Sequence, residues 1–224
     1  MPRTARVAPG GIVFHVLNRA NARAVIFERD PDYAAFEGVL AETAGQVPVR
    51  ILTYCLMPNH WHLVLWPRRD GELGRFMQRL TTTHVRRWRL YRQSVGEGHL
   101  YQGTYKSFPV QDDAHLLAVC RYVERNPLRA RLVRRAEAWR WSGLWPREHR
   151  QATPSVPLTA WPVAPPRDWL TRVNRPETAE ELDALRVSAQ RGRPFGDETW
   201  QQRIAASLGL LSAFRPRGRP RKRG

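Results

Sequence analysis

The chain has 224 residues, a formal net charge of +17 and a pI near 11.3. This excess of Lys and Arg predicts a polyanionic partner, for which nucleic acid is the usual candidate. No run of about 18 apolar residues is present to span a membrane, and the first residues lack the apolar core of a secretion signal, so we expect a cytoplasmic protein associated with the nucleoid.

The first half of the chain predicts four strands and three helices. Apolar and β-branched runs indicate strands at 11–20, 49–57, 60–67 and 105–111. Helical spacing of apolar residues predicts helices at 31–46, 71–95 and 112–126. A Pro58-Asn59 turn makes the second and third strands a hairpin. Pro109 is typical of an edge strand, and Pro127 is expected to end the third helix.

The order β–α–β–β–α–β–α predicts an α+β fold with a ferredoxin-like, mainly antiparallel sheet and helices on one face. This main domain is expected over residues 1–145, and a C-terminal extension follows it. Seven prolines in 146–176 predict a linker or a wrapping segment. Short helices are expected within 177–210, at 177–190 and 193–210, and residues 211–224 read as a basic, disordered tail.

Two histidines stand one residue apart in MPNHWHLVLWP, residues 57–67. On a strand, side chains at i and i+2 point to the same face, so His60 and His62 project together while Trp61 points away. Two imidazoles about 7 Å apart at Cα can converge on one metal ion. The alternative is a pair of hydrogen-bonded histidines at the end of a sheet.

The helix predicted at 112–126 carries Tyr122 and Asn126 on one face, at i and i+4. The amide oxygen of Asn126 is a plausible third ligand beside His60 and His62, and mixed nitrogen and oxygen ligation suits Mg²⁺ or Mn²⁺. A phenol beside a metal-bound phosphate could attack phosphorus and form a phosphotyrosine. Two alternatives stay open: Asn126 as a helix C-cap and Tyr122 as a core residue.

Four stretches of the chain resemble the REP-associated tyrosine transposases, which are relatives of the insertion-sequence transposases that use one tyrosine and an HUH motif. They are FHVLNRANARAVIF, YCLMPNHWHLVLWP, YQGTYKSFPV and RYVERNPLRARLV, and the similarity covers roughly residues 10–145. GRPFGDETW at 192–200 also resembles the C-terminal region of that family.

The resemblance implies an RNA-recognition-type α/β fold and assigns the site residues. The motif histidines fall on His60 and His62, the nucleophile on Tyr122 and the third metal ligand on Asn126. Insertion-sequence relatives often have Gln where this chain has Asn126, and Ala20 replaces a glycine that commonly follows the Asn-Arg pair.

The activity implied by the resemblance is metal-dependent nicking and strand transfer on single-stranded DNA that carries a palindromic hairpin, by a monomer or a homodimer. The expected DNA-binding residues come from the first strand, the last strand and the basic helix at 71–95: Asn18, Arg19, Arg23, Lys106, Arg79 and Arg86. A solvated basic face is the alternative for that helix. The GRP steps at 192–194 and 218–220 read as minor-groove contacts or as a plain cationic tail.

Two other functions fit the same residues. One is a non-catalytic DNA-binding protein domesticated from a transposase, and the other is a two-histidine metal phosphodiesterase that uses water instead of Tyr122. His15 is expected to face DNA. The histidines outside any motif are expected at the surface: His84, His99, His115 and His149.

Overall fold

The computed structural model describes residues 8–94, 96, 98–149 and 155–215. Four strands form one antiparallel sheet in the order β2-β3-β1-β4. They are β1 (Val13–Arg19), β2 (Arg50–Met57), β3 (His60–Trp66) and β4 (Lys106–Val110). The helices of the main domain are α1 (Asp30–Gln46), α2 (Glu72–Tyr91), α3 (Ala114–Glu124), α4 (Asn126–Arg129) and α5 (Leu144–Glu148). The predicted α+β fold is confirmed.

Strand pairing follows the predicted connections. A tight turn joins β2 to β3, β3 pairs with β1, and β4 lies at the edge of the sheet beside β1. Since β1 and β3 are central, both edges of each strand are hydrogen-bonded to neighbouring strands. In this pairing Arg19, the last residue of β1, stands opposite His60, the first residue of β3.

Helices cover both faces of the sheet. The prediction that the helices lie on one face is wrong. Only the first two helices share a face, where Phe36 of α1 and Phe76 of α2 pack with Trp61 of β3. The third helix covers the other face, where Val119 packs among strand residues such as Val64. Because strand side chains alternate between the two faces, every second residue of β3, starting with His60, points toward α3.

The third helix differs from its predicted bounds of 112–126. It begins at Ala114, after the Asp113 carboxylate accepts a hydrogen bond from the His115 backbone N–H, and it ends at Glu124. Pro127 does not end the helix. It lies in the first turn of α4, where a residue without an N–H loses no hydrogen bond. The second helix ends at Tyr91 rather than at 95.

The C-terminal extension packs against the main domain. Its helices are α6 (Trp169–Asn174), α7 (Ala179–Arg191) and α8 (Glu198–Ser207). The indole of Trp161 donates to the Leu52 carbonyl, and that of Trp169 donates to the buried Glu124 carboxylate. Phe195 forms a parallel bridge with Val110 at the edge strand. In the described part of 146–176 these contacts favour a wrapping segment over a free linker.

Residues Leu211–Phe214 form a short 3₁₀ helix, so the predicted disordered tail does not begin at 211. Ala213 is buried there, and the Arg193 guanidinium lies 4.3 Å from the centre of the Phe214 ring. These contacts explain why four residues of the predicted tail are folded. Most of the tail, including the GRP step at 218–220, lies outside the described residues. Two further 3₁₀ helices occupy Asn21–Arg23 and Ala136–Ala138. Within the described residues, every helix is too short or too polar to cross a bilayer.

The prediction that His84 lies at the surface is wrong, because its side chain is only 3% exposed. Tyr101 Oη accepts a hydrogen bond from the Trp61 indole at 2.9 Å and shares another with His84 Nδ1 at 2.7 Å. His84 follows Leu80 by four residues and extends the apolar stripe of α2 into the core. His99 and His149 are exposed as expected, and His115 is half-buried.

We predict that His84→Gln reduces the loss of unfolding free energy as the pH falls below about 7. Burial lowers the pKa of His84 from 6.5 to about 3. On acidification the imidazole is therefore protonated in the unfolded chain while it is still neutral in the folded chain. The stability from this neutral imidazole is present above the unfolded pKa and is lost as pH falls below it, by up to about 1.4 kcal/mol per pH unit. Urea unfolding between about pH 7 and pH 5 measures the slope, with the exposed His99→Gln as the control. A slope equal to that of the unaltered protein contradicts this assignment.

Candidate active site

The two motif histidines lie side by side at the start of β3. Their ring centroids are 5.1 Å apart and the ring planes are nearly perpendicular. His60 is half-buried and His62 is 4% exposed. Both side chains lie on the face of the sheet that α3 covers, as the strand alternation requires.

Each histidine has one ring nitrogen held by a neighbour. Asn59 Oδ1 lies 2.6 Å from His60 Nδ1, and an amide oxygen only accepts, so Nδ1 carries the proton and Nε2 keeps its lone pair. His62 Nδ1 lies 2.9 Å from His15 Nε2, and these two rings are stacked with an interplanar angle of 14°. In both motif histidines Nε2 is therefore the nitrogen left for a ligand.

The prediction that His15 faces DNA is wrong. Its side chain is completely buried, and it contacts His62, Phe108 and Tyr122. In the β1–β3 ladder His15 pairs with Val64, two residues after His62, and the same-face diagonal brings the two imidazoles together. His15 is therefore a buried neighbour of a motif histidine.

Both motif imidazoles are neutral at physiological pH. Burial, followed by the positive charges of Arg19 and Arg129, lowers the pKa of His60 to about 4. Burial also lowers the pKa of His62, and the neighbouring histidines add to the effect. A neutral imidazole with a free Nε2 is the form that binds divalent metals.

The predicted nucleophile, Tyr122, faces the histidines from α3. Its ring centroid lies 5.8 Å from that of His62 and 6.2 Å from that of His15, edge-on in both cases. The residue is half-buried, and the guanidinium carbon of Arg129 lies 4.2 Å from the centre of its ring. The structure thus places Tyr122 next to the motif histidines.

Asn126 is buried beside Tyr122, and its amide is used within the helix pair. Its Nδ2 donates to the Tyr122 carbonyl at 3.1 Å, and its Oδ1 accepts from Arg129 Nη2 at 2.6 Å. An amide oxygen has a second lone pair, so Oδ1 can still accept a ligand. In the described residues no group of three or more His, Cys, Asp or Glu could hold a metal. A cation bound through His60 and His62 therefore depends on an oxygen such as that of Asn126, on water or on the substrate.

Four of the predicted DNA-binding residues lie on or beside β1 and β4. Arg19 stands opposite His60, and its Nε is buried without a hydrogen-bond partner. Asn18 is 5% exposed and its Oδ1 accepts from the Arg19 backbone N–H, so this amide is turned inward. Arg23 and Lys106 are exposed. Of the four, Arg19 comes nearest to the motif histidines.

The predicted arginines of α2 belong to a different surface. Arg79 and Arg86 are exposed on a helix that packs on the sheet face opposite to Tyr122. A groove of about 820 Å³ lies between α2 and the segment 98–105, and Arg86 and Asn18 are among the residues that line it. The site and this groove are thus separate features.

Hydrogen bonds to the C-terminal extension hold α3 in position. Arg121 donates to the carbonyls of Arg172, Arg175 and Pro176. Arg125 donates to the carbonyls of Val173 and Asn174, and its Nε bonds Glu177 at 3.0 Å. These bonds fasten the tyrosine-bearing helix to chain segments about 50 residues away.

Sequence analysis missed His15, Arg129 and Glu177 as members of the site. Arg129 follows Asn126 by three residues and Tyr122 by seven, and that spacing on one helical face is a signal that could have found it. The contacts of His15 and Glu177 depend on strand register and on long-range packing, for which the local sequence carries no signal.

The family model described as "Transposase IS200 like" matches residues 10–126. That span contains both motif histidines, Tyr122 and Asn126. A solved REP-associated tyrosine transposase bound to a REP hairpin is similar at 15% identity and a TM-score of 0.49, with 73% of this chain and 95% of that chain covered. A transposase candidate from Deinococcus radiodurans R1 is similar at 18% identity and a TM-score of 0.39, with 55% and 95% covered. Among curated proteins no match was found.

We predict that Arg125→Met destabilises the protein by about 3 kcal/mol, because it removes a largely buried ion pair and leaves two carbonyls without their donor. Urea unfolding measures the loss. Arg186→Met is the matched control, since Arg186 forms an exposed pair with Asp183 at 3.2 Å and its removal should cost less than about 1 kcal/mol. Equal losses in the two variants contradict the anchoring role of Arg125.

Proposed function

The chain belongs to the family of IS200-like transposases, and we propose that it cuts and rejoins single-stranded DNA through a covalent bond to Tyr122. The observation that supports this most directly is the edge-on approach of the Tyr122 ring to His62, at 5.8 Å between centroids. The proposed nucleophile on α3 and the two neutral imidazoles on β3 therefore lie next to each other.

The proposed reaction exchanges one phosphodiester bond for another. Tyr122 Oη loses its proton and bonds to phosphorus, while the bond to the DNA 3′-oxygen breaks and that oxygen gains a proton. The 5′ end stays on the protein as a phosphotyrosine. Attack by a 3′-hydroxyl reverses the step and joins strands, so no nucleotide cofactor is consumed.

His60 and His62 fit a divalent cation, since both are neutral and present Nε2, and Asn126 Oδ1 would complete the protein ligands. Mg²⁺ or Mn²⁺ bound there would offset negative charge on the scissile phosphate. The chain's own contribution is orientation. Asn59 and His15 fix the two imidazole rings, and the packing of α3 fixes Tyr122.

The proposed substrate is single-stranded DNA with a palindromic hairpin, as the sequence resemblance implies. Arg19 would meet the phosphate near the histidines, with Arg23 and Lys106 along the adjoining backbone. The groove between α2 and residues 98–105 would take a further part of the DNA, with Arg86 on its wall. Such a protein would work at the nucleoid, as a monomer or a homodimer.

We predict that Tyr122→Phe abolishes adduct formation. The unaltered protein, incubated with a panel of hairpin-bearing single strands and Mg²⁺ or Mn²⁺, should give a band on denaturing gels in which DNA stays attached to protein. Tyr91→Phe, at a tyrosine 61% exposed on α2, is the control and should leave the adduct intact.

Two outcomes of this experiment would contradict the proposal. Cleavage without an adduct, unchanged in Tyr122→Phe, would indicate a phosphodiesterase that uses water. Binding of the hairpins without cleavage under either metal would indicate a non-catalytic DNA-binding protein.

We predict that Asn59→Ala weakens Mn²⁺ binding by about 10- to 100-fold, because the ring of His60 loses the partner that fixes its tautomer. Calorimetric titration of the DNA-free protein with Mn²⁺ measures the affinity. Asn21→Ala removes an exposed asparagine outside the site and should leave the affinity unchanged. An unchanged affinity in Asn59→Ala would show that Asn59 does not orient a metal ligand.

A further inference from the structure

The Arg129 guanidinium lies in the candidate active site, beside Tyr122 and Asn126. The Arg129 guanidinium carbon is 4.2 Å from the centre of the Tyr122 ring, and its Nη2 donates to Asn126 Oδ1 at 2.6 Å. One arginine thus touches both the proposed nucleophile and the proposed oxygen ligand. Arg129 is the last residue of α4 and contacts Tyr122 of α3, so its side chain links the two helices.

A buried carboxylate holds this guanidinium in place. Arg129 Nη1 donates to Glu177 Oε1 at 2.9 Å, and Arg125 Nε bonds the other oxygen of the same carboxylate at 3.0 Å. The Glu177 side chain is only 4% exposed. An ion pair of this kind already restricts the long side chain of Arg129, so binding a substrate costs little further conformational entropy.

Arg129 has capacity left for a further partner. A guanidinium has five N–H donors, and two of its nitrogens make the hydrogen bonds to Glu177 and Asn126. The side chain is 24% exposed, so a substrate can reach it from solvent. The fork of a guanidinium matches the oxygens of a phosphate.

The charge of Arg129 also acts on the motif histidines. Together with Arg19 it contributes, after burial, to lowering the pKa of His60 and of His62. Arg19 stands opposite His60 in the ladder and has a buried Nε without a partner. A phosphate that meets both Tyr122 and the histidines would therefore lie between two positive side chains.

We propose that Arg129 is a catalytic residue that donates hydrogen bonds to a non-bridging oxygen of the scissile phosphate, and that Glu177 positions it from the C-terminal extension. This inference rests on the proposed function, since it requires the phosphate to reach Tyr122. Hydrogen bonds to that oxygen stabilise the charge spread over the equatorial oxygens while phosphorus passes from one oxygen to the other. The extension is then part of the active site.

A purely structural role predicts a different result. If Arg129 only ties Asn126 and Tyr122 to the extension, its loss slows every substrate alike. If it touches the phosphate, its loss removes the sulfur effect at the one non-bridging oxygen that it binds. Phosphorothioate substrates separate the two roles, because sulfur replaces one non-bridging oxygen in each diastereomer and accepts hydrogen bonds poorly.

The test measures single-turnover adduct formation with the two phosphorothioate diastereomers and the unmodified hairpin strand. Arg129→Gln should slow the unmodified reaction by about 100-fold or more. The diastereomer whose sulfur replaces the oxygen bound by Arg129 should react more slowly in the unaltered protein and lose that specific deficit in the variant. Glu177→Gln should give a smaller loss of rate in the same direction.

Arg134→Gln is the matched control, since it removes the same charge from an exposed arginine nearby and should leave all rates unchanged. Circular dichroism checks folding, and Arg129→Lys, which keeps the charge without the fork, serves if Arg129→Gln does not fold. Unchanged rates, or equal slowing that preserves both sulfur effects, overturn the role of Arg129. Absence of any adduct with the unaltered protein overturns the proposed function itself.

Discussion

The packing of α3 against the histidine-bearing face of the sheet is the interaction on which the rest of the structure depends. Glu124, fully buried at the end of α3, accepts hydrogen bonds from Thr53 of β2 and Trp169 of α6 and pairs with Arg147. A buried carboxylate is stable only with such partners. This network fixes the end of the helix, and Tyr122 lies half a turn before it.

Around this contact the molecule combines buried neutral imidazoles with fixed positive charge. Burial keeps His15, His60 and His62 unprotonated, so they do not repel a cation. Arg129, whose guanidinium lies against the Tyr122 ring, is held by Glu177 and Asn126. Such an arrangement favours an anion that bridges the two kinds of group, as the proposed phosphodiester substrate would.

The C-terminal extension is more than a connection to a tail. Sequence composition predicted a linker or a wrapping segment, and the described residues give it a defined role. Its carbonyls and Glu177 receive the side chains of Arg121, Arg125 and Arg129. The stability of the main domain and the geometry of the site are therefore coupled through one set of hydrogen bonds.

Much of the fold could be predicted because its signals are local. Alternating and helical periodicities located the four strands and the first three helices, and the turn at Pro58-Asn59 gave the hairpin. The third helix was predicted, but its place on the second face of the sheet was not, since the helical period of the sequence does not determine which face of the sheet a helix covers. His84 was misplaced for a related reason: a histidine reads as polar, and only its position on the stripe of α2 shows that Tyr101 satisfies it in the core.

The sequence by itself determined that His60 and His62 share a face, that Tyr122 and Asn126 share another, and that the chain is strongly basic. These properties follow from strand and helix repeats and from side-chain charge, which need no partner segment. Tertiary structure alone decided that His15 meets His62 and that Glu177 reaches back about 50 residues to hold Arg129. Those contacts depend on strand register and on the docking of distant segments, where small differences in packing free energy select one arrangement.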